Sequence, residues 1–192
     1  KYLSKIIATD NEGLQMISAC SAGAKVRVKN IKYLASSKVF LLLIMRAKIA
    51  IKKDEIQIKG NKYIKSTDIK TAPYQGFPTD LQAQIMVLLC KANKRSSIKE
   101  NIFENRFMHV SELNRMGAQI LISGNKALVP GNIKFAPAEL MATDLRASVS
   151  LILAALSTKG KSIINRIYHL DRGYENIEKK LKKVGAKIKR IN

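Results

Sequence analysis

The chain is written in triplicate, and that constrains its fold more than any other feature. Thr9-Asp10, Thr79-Asp80 and Thr143-Asp144 each open an apolar helical pattern, and the last two run on into matched text, Leu81-Gln82-Ala83-Gln84 and Leu145-Arg146-Ala147-Ser148. About twenty residues later come Lys29-Asn30-Ile31, Glu100-Asn101-Ile102 and Asn165-Arg166-Ile167. A closing series reads Ala47-Lys48-Ile49, Gly117-Ala118-Gln119-Ile120 and Gly185-Ala186-Lys187-Ile188, its copies 71 and then 68 residues apart. A period near 70 is too long for ankyrin-like arrays, so each copy is expected to be a mixed helix and strand unit that buries its apolar face on the other two.

Local patterning predicts the contents of a unit as helix, strand, helix, strand, strand, with a further strand leading into each Thr-Asp pair. In the first unit the helix is expected over 13–22 and a strand over 25–31, where Val26 and Val28 alternate. In the second, helices are expected over about 80–91 and 110–116, and strands over 97–103 and 119–123. In the third, helices are expected over 144–156 and 174–184, and strands over 162–168 and 187–191. Ile177, Leu181 and Val184 make the inward stripe of the last helix, while Glu175, Glu178, Lys179, Lys182 and Lys183 make its wet side. Gly117 and Gly185 stand where a left-handed residue closes a helix. Gly124-Asn125 and Gly60-Asn61 read as hairpin turns. The fold class is α/β (α+β), a single lobe over 1–192 with units of roughly 1–66, 67–131 and 132–192 about a pseudo-threefold axis, the capped helices meeting at the centre. The first unit is the least regular, with Arg46 where the others carry Gly and no clear amphipathicity over 38–45.

At 192 residues and 46% hydrophobic content the chain can bury one core, as a domain or as one lobe of a larger enzyme. A formal charge of +21 raises nucleic acid or an anionic membrane as partners. The lysines, however, are spread over every segment, aromatics make up 6% and Trp is absent, so there is no aromatic-interleaved groove for stacking bases. A local anion such as a phosphorylated small molecule fits better, and neither nucleic acid nor membrane is expected as a partner. The longest apolar run, 39–45, is far shorter than the roughly 18 residues that cross a bilayer. Cys20 and Cys90 lie in apolar text and read as reduced, buried thiols of a cytoplasmic protein. His109 and His169 lack a second ligand at metal spacing, so no metal site is expected. The chain opens at Lys1 with no initiator Met, as a fragment would.

Function is sought where a repeat carries more polar groups than capping needs. Arg106 and Arg172 occupy comparable strand-to-helix turns, where a planar guanidinium presents a fork to carboxylate or phosphate. Asp80 and Asp144 both read as ordinary caps after Thr. Asp80 differs in its approach, Pro73-Tyr74-Gln75-Gly76-Phe77-Pro78-Thr79, a stiff turn that fixes the carboxylate as a candidate general base. Asp144 beside Arg146, and Asp171 beside Arg172, read as local charge pairs that hold the arginines.

Four blocks carry a resemblance. Phe77-Pro78-Thr79-Asp80-Leu81-Gln82-Ala83-Gln84, Ile102-Phe103-Glu104-Asn105-Arg106-Phe107-Met108-His109, Met141-Ala142-Thr143-Asp144-Leu145-Arg146-Ala147-Ser148 and Arg166-Ile167-Tyr168-His169-Leu170-Asp171-Arg172-Gly173-Tyr174-Glu175 resemble, in order, the C-terminal lobe of the enolpyruvyl transferases, and in particular the branch acting on UDP-N-acetylglucosamine at the opening of peptidoglycan synthesis. The match is close from about Thr71 onward, whereas Asp10-Asn11-Glu12-Gly13 matches the family's text only in part. The resemblance implies an inside-out α/β barrel of two lobes, each of three βαβαββ units. It implies transfer of the enolpyruvyl group of phosphoenolpyruvate to the sugar 3-hydroxyl by addition and elimination, with no metal or organic cofactor. By motif position, Asp80 would bind that hydroxyl and act as its base, Ile102 would contact the sugar nucleotide and Arg172 would hold phosphoenolpyruvate. Arg106, Asp144 and Arg146 would line the cleft between lobes. The family's general-acid Cys and a Lys-Asn pair belong to a front lobe absent from this chain, so the chain alone is expected to turn over negligibly. The alternatives are the sister reaction on shikimate 3-phosphate, a non-catalytic basic binding protein and a gene remnant.

Overall fold

The computed structural model describes residues 2–7, 25–29, 48–52, 55–59, 64–183 and 185–191. Strands β1 (Tyr2–Ile7), β2 (Lys25–Lys29), β3 (Lys48–Lys52) and β4 (Glu55–Lys59) form one sheet in the order β1-β2-β4-β3, with β1 parallel to β2 and the other two pairings antiparallel. Strands β5 (Ile69–Lys70), β6 (Ser96–Lys99), β7 (Leu121–Ser123) and β8 (Lys126–Val129) repeat that order and those directions, β5-β6-β8-β7. Strands β9 (Glu139–Met141) and β10 (Ile163–Asn165) repeat its first, parallel pair. The triplication in the text thus appears among the described residues as a parallel pair present three times and a four-strand order present twice. The first-unit helix over 13–22, the segment 38–45, Arg46, Cys20 and the Gly60-Asn61 turn lie outside the described residues.

The helices are α1 (Gln82–Cys90), α2 (His109–Arg115), α3 (Leu145–Leu156), α4 (Tyr168–Asp171) and α5 (Ile177–Lys183). Every residue of α1 is buried, which follows from a text apolar on all sides: Ile85, Met86, Val87, Leu88 and Leu89 leave no polar face to turn outward. It packs against α3, which also meets α2 and α4, so the Thr-Asp helices of the second and third units meet each other. Met86, Leu88, Leu89, Ile98, Leu113, Met116, Leu140 and Leu151 are the large side chains most completely sealed in this core. Ser148 and Ser150 turn their hydroxyls back onto the backbone carbonyls of Asp144 and Ala147, so α3 carries them without orphaned oxygens.

Both predicted glycine closures are present. Gly117 (φ +88°) lets the N–H of Ala118 reach back to the Leu113 carbonyl at 3.1 Å, and Gly185 (φ +94°) lets that of Ala186 reach the Leu181 carbonyl at 3.1 Å. Gly124, at φ +56°, turns the β7–β8 hairpin, whose last pair is Ser123 with Lys126. Glu112 is buried under α2, where its Oε2 accepts the Met141 N–H at 2.7 Å and its Oε1 lies 3.5 Å from Arg115, so one carboxylate ties α2 to β9.

Several boundaries differ from expectation. The strand expected over 187–191 is not formed, because no strand among the described residues pairs with that stretch. Strand β6 stops at Lys99 and β10 at Asn165, since beyond each the chain leaves its parallel neighbour for a polar loop. Helix α5 starts only at Ile177, after Asn176 at φ +49°. The link from β8 to β9 is stitched down: Asn132 N–H donates to the Ala92 carbonyl and Ile133 N–H to that of Cys90, both at 2.7 Å, and Ala136 N–H to that of Met116 at 2.9 Å. At its start Gly131 has φ +83°, and a Cβ there would stand 2.4 Å from the Lys94 carbonyl oxygen, a position closed to any side chain.

Candidate functional site

The two matched Thr-Asp pairs do different work. Asp144 is a true cap: its Oδ1 accepts the N–H groups of Arg146 at 2.8 Å and Ala147 at 3.0 Å, satisfying donors that the first turn of α3 leaves unpaired. Replacing Asp144 by Ala is expected to lower stability by about 1 kcal/mol, read from urea unfolding midpoints. An unchanged midpoint would remove the cap. Asp80 caps nothing. The chain enters α1 through a short 3-10 turn, Thr79–Leu81, with no side-chain cap, and the Asp80 carboxylate instead meets Arg146, Nε to Oδ1 2.5 Å.

That contact corrects the local pairing expected for Arg146. Asp144 spends its oxygen on backbone N–H groups, so the guanidinium turns to the neighbouring helix start and links the two repeats. Asp80 is 61% and Arg146 36% exposed, so the pair is open to solvent at the N-terminal ends of two packed helices. Both helix ends add partial positive charge. Among the described residues no second partner holds Asp80, and none of them donates to its Oδ2. The turn in front of Asp80 is as stiff as its prolines imply: Gly76 N–H donates to the Pro73 carbonyl at 2.8 Å, Ala72 N–H to that of Phe77 at 3.1 Å, and Phe77 is buried.

The other candidates stand as follows. Ile102 is half-buried in the loop after β6. Arg106, also half-buried, lies in the same loop with its guanidinium 4.5 Å from the ring centre of the exposed Phe103. Arg172 is exposed at the end of α4, between β10 and α5. The expected charge pair of Asp171 with Arg172 is not formed. Asp171 takes both guanidinium nitrogens of Arg190, at 3.0 and 2.5 Å, because Arg190 on the C-terminal stretch offers a fork facing it, and that hydrogen bonding draws the Asp171 carboxyl below its ordinary range. Gly173, next to Arg172, packs so closely on Leu145 that a Cβ would come within 2.8 Å of Leu145 Cδ2. The Arg172 turn therefore borders the start of α3 that carries Arg146.

Two site residues were not singled out from the sequence. Tyr174 sits beside the pair: burial pushes its phenol up, and among its charged neighbours Arg146 lowers it while Asp80 raises it. Glu100, 2% exposed, gathers hydrogen bonds from both sides of the site. A Thr-rich approach could have signalled it, since Thr71 and Thr79 are its hydroxyl donors. Cys90 is sealed in α1 and burial raises its thiol to about 12, so it has no nucleophilic or acid role at the surface. His109 is equally enclosed, with Nε2 3.3 Å from Met86 Sδ, and is structural.

A mixed α/β lobe built on a repeated β-β-β-β order, presenting a carboxylate and guanidinium at paired helix starts, has the inside-out α/β architecture of the enolpyruvyl transferases. The enolpyruvyl transferase NikO from Streptomyces tendae is similar to it with a TM-score of 0.83 and 26% identity, over 92% of this chain and 43% of that one. An EPSP synthase from Acinetobacter baumannii shares the fold at a TM-score of 0.61 and 16% identity. Residues 12–181 match the family model described as EPSP synthase (3-phosphoshikimate 1-carboxyvinyltransferase), and the chain belongs to that family. Among similar curated proteins, the UDP-N-acetylglucosamine 1-carboxyvinyltransferase of Pelagibacter ubique is 67% identical over 94% of this chain, and that of Rickettsia akari 49% identical over 93%. The chain spans 43% of the length of each. No described helix is long and apolar enough to cross a membrane.

Proposed function

We propose that this chain is the base-bearing lobe of an enolpyruvyl transferase acting on UDP-N-acetylglucosamine. The observation that carries this reading is Asp80, a carboxylate not spent on capping, aimed by Arg146 through one oxygen, with no described residue on the other, at a solvent-open junction of two helix starts. In this reading Asp80 Oδ2 accepts the proton of the sugar 3-hydroxyl as that oxygen bonds to C2 of phosphoenolpyruvate, while the C2=C3 bond opens and C3 takes a proton from the general acid. Loss of a proton from C3 then restores the double bond and expels phosphate from C2. Ile102 lies against the sugar nucleotide. Arg172 holds phosphoenolpyruvate, whose charge is stabilised by cations placed before the reaction, and Arg146 lines the cleft beside Asp80. Arg106 and Asp144 belong to the cleft wall, Asp144 through its cap on the helix that bears Arg146. The family's general acid and the remaining phosphoenolpyruvate contacts fall to a front lobe, and the cytoplasm is the compartment that goes with this reaction.

The sister reaction on shikimate 3-phosphate has the family model's name in its favour, and 67% identity to a UDP-N-acetylglucosamine enzyme against it. Titrating the chain separately with UDP-N-acetylglucosamine and shikimate 3-phosphate, read by heteronuclear NMR, decides between them. Shifts at Ile102 and Asp80 with the first and not the second are expected. The reverse would transfer the chain to the other substrate, and a response to neither would defeat both. Turnover by the chain alone is expected to be negligible, and ordinary phosphate release would overturn the division of labour.

A further inference from the structure

Glu100 stands at the end of β6 with its carboxylate enclosed and no cation beside it among the described residues. Its oxygens are occupied in a directed way. Oε1 accepts the Thr71 hydroxyl at 2.8 Å and the N–H groups of Ile102 at 2.9 Å and Phe103 at 3.3 Å, while Oε2 accepts the Thr79 hydroxyl at 2.9 Å. Thr71 is placed between the two, its oxygen accepting the Asn101 N–H at 2.8 Å and its hydrogen going to the Glu100 carboxylate, which can only accept. Thr79 is the residue before Asp80, and Ile102 follows Glu100 by two. One side chain thus holds both the turn that carries the carboxylate and the loop that carries the sugar contact, on chain segments more than twenty residues apart. A buried carboxylate is costly unless its lone pairs are met by donors, and here the donors come from the two segments that must be held in register.

We propose that Glu100 is a positioning residue that fixes the Asp80 turn against the Ile102 loop through two separate oxygens. This rests on the reading of Asp80 and Ile102 given above. Oε1 joins the Ile102 loop to Thr71 at the foot of the Asp80 turn, and Oε2 alone holds Thr79, the residue before Asp80. In Glu100→Gln the amide oxygen can keep the Ile102 and Phe103 N–H groups, but the NH2 group meets a hydroxyl that had been donating, so the Thr79 link must reverse. Thr79→Val removes that link alone, and Val is close to Thr in shape.

The test uses this chain and two readouts. The first is hydrogen exchange, followed at the Ile102 and Phe103 amides and at the Arg146 Nε–H that points at Asp80. Thr79→Val is expected to speed exchange at Arg146 Nε–H at least fivefold while leaving the two amides within twofold of wild type. Glu100→Gln is expected to speed Arg146 Nε–H likewise and the two amides by a smaller factor of more than twofold, a neutral amide oxygen being a weaker acceptor than a carboxylate, with the amides of α1 and α3 unchanged. The second readout is the affinity for UDP-N-acetylglucosamine, expected to fall about tenfold in either variant. In an Asp80→Asn background Thr79→Val should have no further effect, because its influence runs through Asp80. Exchange unchanged at all three groups in both variants, or equal losses of affinity with and without Asp80, would overturn the proposal. If Glu100→Gln fails to fold, Thr79→Val on its half-buried residue still decides it. A wild-type chain that binds no UDP-N-acetylglucosamine would defeat the functional reading, while the exchange data would still judge the role of Glu100.

Discussion

Replacing Asp80 by Asn is expected to lower turnover by about a hundred- to ten-thousandfold, the largest single effect anticipated in this lobe. The measurement is phosphate release by a chimera in which this chain replaces the matching segment of the Pelagibacter ubique relative. Asn keeps the size of the side chain and an oxygen for Arg146, so the helix junction stays built. What it loses is the second carboxylate oxygen, the one with no donor among the described residues, and with it the capacity to take a proton from a hydroxyl. Affinity for UDP-N-acetylglucosamine is expected to fall only about tenfold, the loss of the contact with the sugar hydroxyl, since the larger part of a base's effect falls on the reacting bond. Turnover within threefold of the parent chimera would remove Asp80 from the role of base.

The second large effect concerns acid. His109 is fully enclosed beside Met86, and burial lowers its pKa from 6.5 to about 4, an effect that the Asp144 charge and a hydrogen bond with the Arg106 backbone only partly oppose. In the unfolded chain an ordinary histidine takes up its proton near pH 6.5. Between those values the unfolded state holds a proton that the native state refuses, so stability rises with pH across this window and is fully present above it. Lowering the pH from 7 to 4 is therefore expected to remove about 3 kcal/mol, levelling off below the native pKa. The lower end overlaps ordinary carboxylate titration, so the interval from pH 6.5 to 5 is the diagnostic one. Urea midpoints for the chain and for His109→Gln should diverge there, the wild type falling steeply and the variant staying nearly flat. Parallel curves would show that some other group governs acid sensitivity.

How much of this was legible in the text differs from residue to residue. The threefold recurrence of a parallel strand pair was legible because it rests on landmarks that the units write out again, Thr-Asp at one end in all three and Gly-Ala at the other in the last two. The end of β6 was not, because Asn101-Ile102-Phe103 has the composition of a strand and only the pull of Glu100 on the Ile102 and Phe103 N–H groups bends it into a loop. The stretch 187–191 alternates like a strand, but alternation needs a partner, and that is not a local property.

The candidate site was legible in its members and illegible in its pairings. Asp80 and Asp144 stand in the same motif, so nothing in either neighbourhood says which is a cap and which is spare. That difference is set by the 3-10 entry into α1 and by Arg146 reaching across from another repeat. Arg172 and Asp171 misled for the same reason, adjacency in the text being a poor guide once Arg190 brings a fork to the same carboxylate. Glu100 gave no signal of its own, since a glutamate closing a strand reads as solvent-exposed until the two threonines close over it.

The stitched link after Gly131 bears on movement. With its N–H groups tied to the carbonyls of Cys90, Ala92 and Met116, and with no room at Gly131 even for a methyl, this connection cannot serve as a hinge. Asp80 on one repeat and Arg146 on the next must then travel as a single rigid jaw, and any bite upon a ligand has to be driven from outside this pair of repeats.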